Sequence, residues 1–449
     1  MKMLNRFVAL GLLVSLSVVG FGAARASVAA KGLSNPVFFA RPKGSPGPAI
    51  AYDLVTGAQR FDFPTGILSA DGMTFAAADG TYIPGTTLSL FDAHSGSQTL
   101  AMPLSGKWWL NAVSPDAHFA ALTRTPSGQE KQTWTKNGTW QTDLQIIDTQ
   151  TRQVKHTLKL DGNFDAEALS QSGTSLFMIE HLPAAKPDHY AIRWYDLARE
   201  QLIADPLRSK TADEIMSGYA WGGTATPDGE WLFTLYVSTN RKVAFVHMLN
   251  TKSAYTVCVD LPSTSAAGHG SSDGDFEALK RYALAYSPGK HILYAANAQL
   301  GIVAEIGLDS YRYNDATSKL EANKVVNFKP IPNERFYSPS YPVPAAALAR
   351  DSSRLFFADG GLAYTYDTAH GTVDRTFSAD SAITGLGLRD DNQLVVAQWN
   401  LNTVKTFDIA SGRTLFPPEV KAAYPVAKPT GLVPPSLKLA KNNAFWYGP

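Results

Sequence analysis

One segment of the chain carries oxygen-bearing side chains at alternate positions, as calcium-binding loops do. These side chains belong to Asp161, Asn163, Asp165 and Glu167. The EF-hand pattern then fails, because Ala166 stands where that loop needs Gly and Ser172 stands where it needs a bidentate Glu. Solvated loop acids are therefore the favoured interpretation, and a calcium site is the alternative.

A second acidic segment repeats the alternation with Asp273, Asp275 and Glu277. Hard carboxylate oxygens would select calcium over a transition metal if an ion binds. The nine His residues and the single Cys show no ligand spacing, so zinc and copper are poorly supported. We predict no cofactor and keep calcium as a possibility. The calcium candidates are Asp161, Asn163, Asp165, Asp273 and Asp275.

Enzyme signatures are missing from the sequence. The string G-x-S-x-G occurs at residues 270–274, but it lies in a polar Gly/Ser stretch and not at a strand-to-helix elbow. The sequence contains no H-E-x-x-H, no phosphate-binding glycine loop and no C-x-x-C-H. The neighbours Glu180 and His181, at the end of an apolar run, could act in acid–base chemistry, but a hydrogen-bonded structural histidine is the favoured interpretation. The catalytic residues, if any exist, stay unknown at this stage.

The elements that must position these residues repeat along the chain. The first is an apolar strand that follows a tight turn, and the turns read SADG, SPDA, SQSG, TPDG, SPGK, RDSS and RDDN. The second is a strand that ends in a polar turn, in eight copies: AYDLVTG, LFDAHSG, IIDTQTR, WYDLARE, VHMLNTK, EIGLDSY, TYDTAHG and TFDIASG.

Six of the eight copies carry an Asp at the end of the strand: Asp53, Asp92, Asp148, Asp196, Asp367 and Asp408. A carboxylate at this position accepts backbone N–H groups of the following turn. Gly follows four residues later at Gly57, Gly96, Gly371 and Gly412, where it supplies a positive φ. An Asp repeated in this way is predicted to be scaffold rather than a catalytic group.

The spacing of the copies is about 51 residues, which is expected for one four-stranded propeller blade. The phrase LYVSTNRKVAFVHMLNT, Leu235 to Thr251, is similar to the motif of YVTN-type β-propellers. The chain resembles these and WD-repeat propellers over residues 35–449, and it lacks the WD dipeptide and the repeated GH dipeptide of the latter. The resemblance includes the heavy chain of periplasmic amine dehydrogenases and the propeller lactonases.

The resemblance implies an all-β fold, a single β-propeller of four-stranded blades. Counting the copies favours eight blades, with seven as the alternative. The N-terminal strands of residues 49–63 need partners, so N- and C-terminal strands are expected to share the closing blade and hide the sheet edges. Either the tail SLKLAKNNAFWYG or the segment from Val37 to Arg41 could supply a missing strand.

The longest connections all follow the second or the fourth strand of a blade, and such connections share one face. They are residues 126–141, 183–190, 205–219, 263–281 and 330–344. Aromatic and charged residues on this face suit a protein or glycan partner. The predicted binding residues are Trp134, Trp140, Tyr219, Trp221, Asp273, Asp275, Glu277, Arg281, Arg335, Tyr337 and Trp399.

The N-terminus reads as a secretory signal peptide over residues 1–26. Lys2 and Arg6 precede an apolar run, and Ala24-Arg25-Ala26 is a small-x-small cleavage motif. The mature chain, residues 27–449, is then one domain that is secreted or periplasmic, with no stable membrane span after cleavage. Cys258 has no partner for an internal disulfide, and its apolar strand predicts a buried, inert thiol.

The formal net charge of +1 gives no sign of nucleic-acid binding. Asymmetric loop growth without a catalytic motif favours an exported binding scaffold that uses the long-loop face. The alternative is a propeller enzyme of the lactonase or periplasmic dehydrogenase type, with its site at the mouth of the central channel. A third possibility is a structural role in the cell envelope.

Overall fold

The computed structural model describes a chain built almost entirely from antiparallel strands. The description covers residues 37–42, 49–53, 59–64, 66–79, 85–185, 187–207, 216–238, 243–263, 278–309, 312–314, 319–329, 345–389, 392–398, 403–415 and 426–429. All of these residues belong to one compact unit. No helix among them is long and apolar enough to cross a membrane.

The described residues form eight sheets, which we number in chain order. Sheet 1 joins the two ends of the described chain. Its strands are β1 (Val37–Pro42), β2 (Ala49–Asp53), β3 (Gln59–Phe63) and the last strand, β34 (Val426–Pro429). The order is β3-β2-β1-β34, and Ala40 pairs with Pro429 in antiparallel register.

Sheets 2 to 4 each follow the chain from the first strand to the fourth. Sheet 2 is β4 (Gly66–Leu68), β5 (Thr74–Asp79), β6 (Gly85–Asp92) and β7 (Gln98–Ser105). Sheet 3 is β8 (Trp108–Val113), β9 (Phe119–Arg124), β10 (Gln141–Asp148) and β11 (Gln153–Asp161), with helix α1 (Gly128–Asn137) between β9 and β10. Sheet 4 is β12 (Asn163–Leu169), β13 (Ser175–Leu182), β14 (His189–Asp196) and β15 (Gln201–Leu202).

Sheets 5 and 6 are linked by a hairpin. Sheet 5 is β16 (Tyr219–Ala225), β17 (Trp231–Ser238), β18 (Val243–Asn250) and β19 (Tyr255–Asp260). Sheet 6 is β20 (Ala283–Ser287), β21 (Ile292–Asn297), β22 (Ile302–Gly307) and β25 (Lys324–Asn327). Between β22 and β25, strands β23 (Arg312–Asn314) and β24 (Lys319–Glu321) form a hairpin, and β24 pairs with β19 in parallel.

Sheets 7 and 8 again follow the chain. Sheet 7 is β26 (Ala345–Leu348), β27 (Arg354–Asp359), β28 (Leu362–Asp367) and β29 (Thr372–Ser378). Sheet 8 is β30 (Ile383–Arg389), β31 (Gln393–Gln398), β32 (Thr403–Asp408) and β33 (Thr414–Leu415).

Neighbouring sheets pack face to face and share their apolar cores. Phe63 of sheet 1 stacks on Phe75 of sheet 2 with ring centroids 4.6 Å apart, and similar clusters join each sheet to the next as far as sheet 8. The first strand of sheet 8 contacts β34 of sheet 1, which completes the circuit. This is the predicted all-β propeller. The blade number, eight or seven, stays a prediction, because both chain ends lie outside the described residues.

The first strands of successive sheets contact one another, so they are the innermost strands and line the axis. Sheet 5 shows the consequence of packing on both faces: β17 is buried along its whole length. The apolar segment that follows the TPDG turn therefore forms a strand covered on both sides rather than an alternating one.

The repeated Asp has the predicted scaffold role. Asp92 accepts the backbone N–H groups of His94 and Ser95 at 3.0 and 2.7 Å, and the other described copies do the same. Asn250 replaces Asp in the fifth copy and accepts the same two bonds. Gly96, Gly371 and Gly412 adopt φ near +70°, as the turn requires. Asp53 and Gly57 lie where side chains or backbone are not described.

Two faces follow from this topology. We call the one with the connections after second and fourth strands the long-loop face, and the opposite one the turn face. The prediction that connections on the turn face are short holds for most sheets. The exception is the connection between β22 and β25 of sheet 6, whose hairpin β23–β24 extends sheet 5 to six strands. Residues 1–26, which the sequence predicts to be a signal peptide, and the tail SLKLAKNNAFWYG lie outside the described residues.

Candidate functional site

Helix α1 is the largest ordered element of the long-loop face among the described residues. Ser127 caps its N-terminus: the Ser127 Oγ accepts the Glu130 N–H at 3.2 Å, and the Glu130 carboxylate accepts the Ser127 N–H at 2.7 Å. Gly138 ends the helix in the left-handed region, with φ of 67°. The sequence predicts an insertion here but not a helix, because the segment has no apolar residues that recur at helical spacing.

A charged network fixes α1 to the sheet below it. Arg124, at the end of β9, donates two hydrogen bonds to the Glu130 carboxylate at 3.2 and 2.9 Å. Arg124 Nε also donates to Asp143 Oδ2 at 2.6 Å. The Arg124 hydrogen bonds, with those from Ser127, lower the pKa of Glu130 to about 2. These contacts therefore fix the first turn of α1 to sheet 3.

Two of the predicted binding residues meet at the base of α1. The rings of Trp134 and Trp140 are 5.3 Å apart at an angle of 52°. Both are half-buried, and most other residues of the helix are exposed. The carbonyl of Trp140 accepts the Gly162 N–H at 2.7 Å, which joins the helix to the start of sheet 4.

The innermost strands carry bulges at polar or aromatic residues. The register shifts at Asn111 in β8, at Glu167 in β12 and at Trp221 in β16. A bulge adds one residue to a strand and re-aims its side chain. Asn111 and Glu167 are only 0% and 3% exposed, so the bulges place polar groups in the interior near the axis.

Asn111 connects sheet 3 with a pair of ionisable residues in sheet 4. Its Nδ2 donates to Asp165 Oδ1 at 3.4 Å, and Asp165 Oδ2 lies 3.0 Å from His181 Nε2. Asp165 is on the innermost strand, and His181 is near the end of β13 on the long-loop side. This group has the residue types for proton transfer.

The predicted residues Trp221 and Arg281 are connected only through Lys280, which precedes Arg281 in the chain. Lys280 Nζ sits 4.7 Å from the Trp221 ring centroid. The adjacent Arg281 is buried, and its guanidinium lies 3.4 Å from Asp359 Oδ1 of sheet 7. Burial raises the pKa of Asp359, and Arg281 opposes that rise. Arg281 therefore joins sheets 6 and 7 rather than facing solvent.

A few polar groups lie in and beside the apolar core that joins sheets 4 and 5. His247 Nδ1 lies 3.5 Å from Cys258 Sγ, and the Tyr190 and Tyr236 rings stack at 5.1 Å. Burial lowers the pKa of His247 to about 4. Burial, with Tyr236, Cys258 and Glu167, raises the pKa of Tyr190. Because His247 disfavours a proton, it cannot stabilise a Cys258 thiolate well. Cys258 is partly exposed, so the predicted full burial is wrong, and the inertness of the thiol stays a prediction.

A cavity of about 60 Å³ lies on the turn side of the same bulges. Residues of sheets 2, 3, 4 and 5 form its wall, which places it beside the axis. Its polar wall residues include Asn111 and Glu167, and aliphatic side chains such as Ile67, Val113 and Leu232 form much of the rest.

The structure brings together only part of the predicted binding set. Trp134 pairs with Trp140, Trp221 lies under Lys280, and Arg281 is buried against Asp359. Tyr219 begins β16, and its side chain is not described. The remaining predicted residues lie outside the described residues: Asp273, Asp275, Glu277, Arg335, Tyr337 and Trp399.

The first calcium segment forms the end of β11 and the start of β12 rather than one loop. Asn163 Nδ2 donates to the Ala184 carbonyl at 3.0 Å, and Asp165 contacts His181. Within the described part of the chain, no three His, Cys, Asp or Glu residues are grouped to hold a metal ion. Calcium binding stays the untested alternative, and the second segment lies outside the described residues.

Sequence reasoning missed Trp109 and Asn111 on the innermost strand β8, and it did not predict the interior position of Glu167 on β12. Trp109 is 41% exposed although it lies on the innermost strand β8, and Asn111 and Glu167 are bulged residues. The only local signal is a polar or large aromatic residue inside an otherwise apolar strand. That signal does not tell which face the side chain takes, because the bulge depends on the partner strand.

No protein-family model matches the sequence, and no curated protein matches it either. Solved structures do resemble it. The dihydro-heme d1 dehydrogenase NirN, solved in complex with DHE, is 14% identical, with 89% of this chain and 75% of that one covered and a TM-score of 0.50. Apo AztD from Citrobacter koseri is 12% identical, with 88% and 96% covered and a TM-score of 0.50.

Both neighbours are propeller-type proteins, so the likeness shows the β-propeller fold. At these identities it shows the fold alone, and propellers host many unrelated activities.

Proposed function

We propose that this chain is an exported binding scaffold that holds a protein partner on its long-loop face, in the periplasm or outside the cell. The observation that carries the proposal is α1, an ordered and mostly exposed helix in the connection between β9 and β10. The helix is capped at both ends, and salt bridges join it to sheet 3, so its exposed side is a preformed surface.

The contacts of α1 favour a binding role over a packing role. Apart from Glu130, Trp134 and one residue whose side chain is not described, every helix residue is exposed, so the helix adds little to the core. A rigid surface loses less entropy when it binds, which favours affinity. The half-buried pair Trp134 and Trp140 offers aromatic contact area at the helix base, and aromatic residues often dominate protein interfaces.

A second candidate is an enzyme with its site at the mouth of the central channel. The group of Asn111, Asp165 and His181 supports this reading, since a carboxylate that orients a histidine is a common acid–base arrangement. A further alternative is that the scaffold binds a glycan instead of a protein, since the aromatic residues also suit a sugar ligand.

Site-directed photo-crosslinking in the native host tests the proposal. A photo-reactive residue at exposed Thr133 of α1 should give a discrete crosslinked protein product. The matched control is exposed Lys159 on the outer strand of the same sheet, which should give none. Equal products from both positions, or none from Thr133 in protein that turns over a small substrate, would reject the scaffold in favour of the enzyme.

A further inference from the structure

Helix α1 ends on an Asn-Gly dipeptide, and the sequence contains no other. Asn137 is the last residue of the helix, Gly138 caps it in the left-handed region, and Thr139 follows. All three residues are exposed. No neighbouring part of the described chain lies within 4 Å of a Cβ added at Gly138, so solvent reaches this peptide bond.

An asparagine amide can react with the backbone nitrogen of the residue that follows it. The nitrogen gives its proton to a base in solution and bonds to the asparagine Cγ, while the Cγ–Nδ2 bond breaks and ammonia leaves. Water then opens the succinimide ring at one of its two carbonyls. The product is aspartate, or isoaspartate when the main chain is left running through Cγ. A following Gly favours the attack, since it has no Cβ to obstruct the nitrogen.

The capping bonds of α1 oppose this reaction while the last turn is closed. Gly138 N–H donates to the Trp134 carbonyl, and Thr139 N–H donates to the same oxygen at 3.0 Å. A nitrogen whose N–H is held in this way does not readily lose its proton, and the helical backbone of Asn137 must rotate before that nitrogen reaches Cγ. The reaction therefore requires the last turn to open, and exposed helix ends open at a small cost in free energy.

Two tryptophans enclose the reactive dipeptide. Trp134 precedes it, Trp140 follows it, and their half-buried rings lie 5.3 Å apart. Contact between two aromatic rings stabilises the closed arrangement of the segment that joins them. The carbonyl that accepts both capping bonds also belongs to Trp134. The ring pair therefore controls how often the turn opens.

We propose that Asn137 is a site of spontaneous deamidation, and that this modification irreversibly opens the last turn of α1. Either product places a carboxylate at the helix C-terminus, where the helix dipole disfavours negative charge. Isoaspartate also adds one atom to the main chain before Gly138, so the Gly138 N–H loses its position beneath the Trp134 carbonyl. The first turn stays bound through Arg124 and Glu130, which confines the change to the C-terminal end of the helix. The inference concerns α1 itself and holds whether or not the helix binds a partner.

Ageing of the purified mature protein tests the site. Folded protein and protein unfolded in guanidinium chloride are incubated side by side at mildly alkaline pH, and peptide masses are followed with time. The peptide that contains Asn137 should gain about 1 Da in both samples, more slowly in the folded one, and should separate into two chromatographic isomers. If Asn137 keeps its amide in the folded sample after the unfolded sample is fully converted, the proposal is overturned. Equal rates in the two samples overturn the control by the capping bonds.

Two variants separate the chemistry from the opening of the helix. Trp140→Ala removes one ring of the pair and should accelerate deamidation of the folded protein by about three- to tenfold. Asn137→Gln keeps the amide but would need a larger ring, so it should stay unmodified over the same period. After ageing, the unsubstituted protein should lose hydrogen-exchange protection in the last turn of α1, and Asn137→Gln should keep it. If Trp140→Ala does not fold, this comparison decides: equal protection in the two aged proteins overturns the proposal.

Discussion

Arg124 holds the Glu130 carboxylate through two hydrogen bonds and thereby ties the first turn of α1 to the end of β9. The same carboxylate caps the helix through the Ser127 N–H. One acidic side chain thus performs both tasks that keep α1 in a fixed position on the long-loop face.

The first prediction concerns that carboxylate. Glu130→Ala removes the capping bond and a partly exposed salt bridge, which together contribute about 1 kcal/mol to stability. We expect a small loss of unfolding free energy and a large loss of hydrogen-exchange protection confined to α1. Gln132→Ala, an exposed change in the same helix, should leave both unchanged; equal loss of protection in that control would contradict the tether.

The second prediction concerns His247 and pH. Its folded pKa is about 4, below the usual 6.5, so the unfolded chain binds more protons between these values. The stability from neutral, buried His247 is complete above pH 6.5 and decreases by up to ~3 kcal/mol as the pH falls toward 4. Replacing the histidine, His247→Gln, should flatten the dependence of unfolding free energy on pH in this window. An unchanged slope in the variant would contradict the assignment.

The third prediction concerns the repeated Asp. Hydrogen bonds from the His370 side chain and backbone lower the pKa of Asp367 to about 2. A carboxylate whose folded pKa is depressed stabilises the protein above its unfolded pKa, near 4, and this stabilisation is lost as the pH falls toward 2. His370→Ala removes the largest contribution, so an NMR titration should show a higher pKa for Asp367. A pKa that stays near 2 would mean that the backbone bonds alone are sufficient.

The fourth prediction concerns the turn between β16 and β17 of sheet 5. Gly229 has φ of +65°, and a Cβ added there would overlap the Pro115 ring of sheet 3. Gly229→Ala should therefore destabilise the protein by more than the ~1 kcal/mol expected from backbone strain alone. Chemical denaturation of purified variants measures this.

Two other glycines separate strain from overlap. Gly412 has a similar φ of +72°, with no atom within 4 Å of an added Cβ, so Gly412→Ala should show strain only. Gly128, in the first turn of α1, has neither constraint, and Gly128→Ala should be neutral or slightly stabilising. If the Gly229 and Gly412 variants lose the same stability, the turn at Gly229 does not pack against Pro115 as closely as described.

The sequence by itself determined the repeating unit of this protein. The apolar strand expected after the TPDG turn is β17, and the predicted Asp holds the polar turn after the third strand in most sheets. Both are local: a strand needs a run of β-branched and aromatic side chains, and a turn needs a carboxylate and a Gly within a few residues. The resemblance to propellers rests on these local signals.

Only the tertiary structure decided which residues reach the axis. Asn111 and Glu167 become interior polar groups because their strands are bulged against β9 and β13. The buried setting of Arg281 depends on Asp359 of another sheet. Such features depend on register and packing between segments that are far apart in the chain, and a one-residue change of register sends a side chain to the other face. No local pattern records that choice.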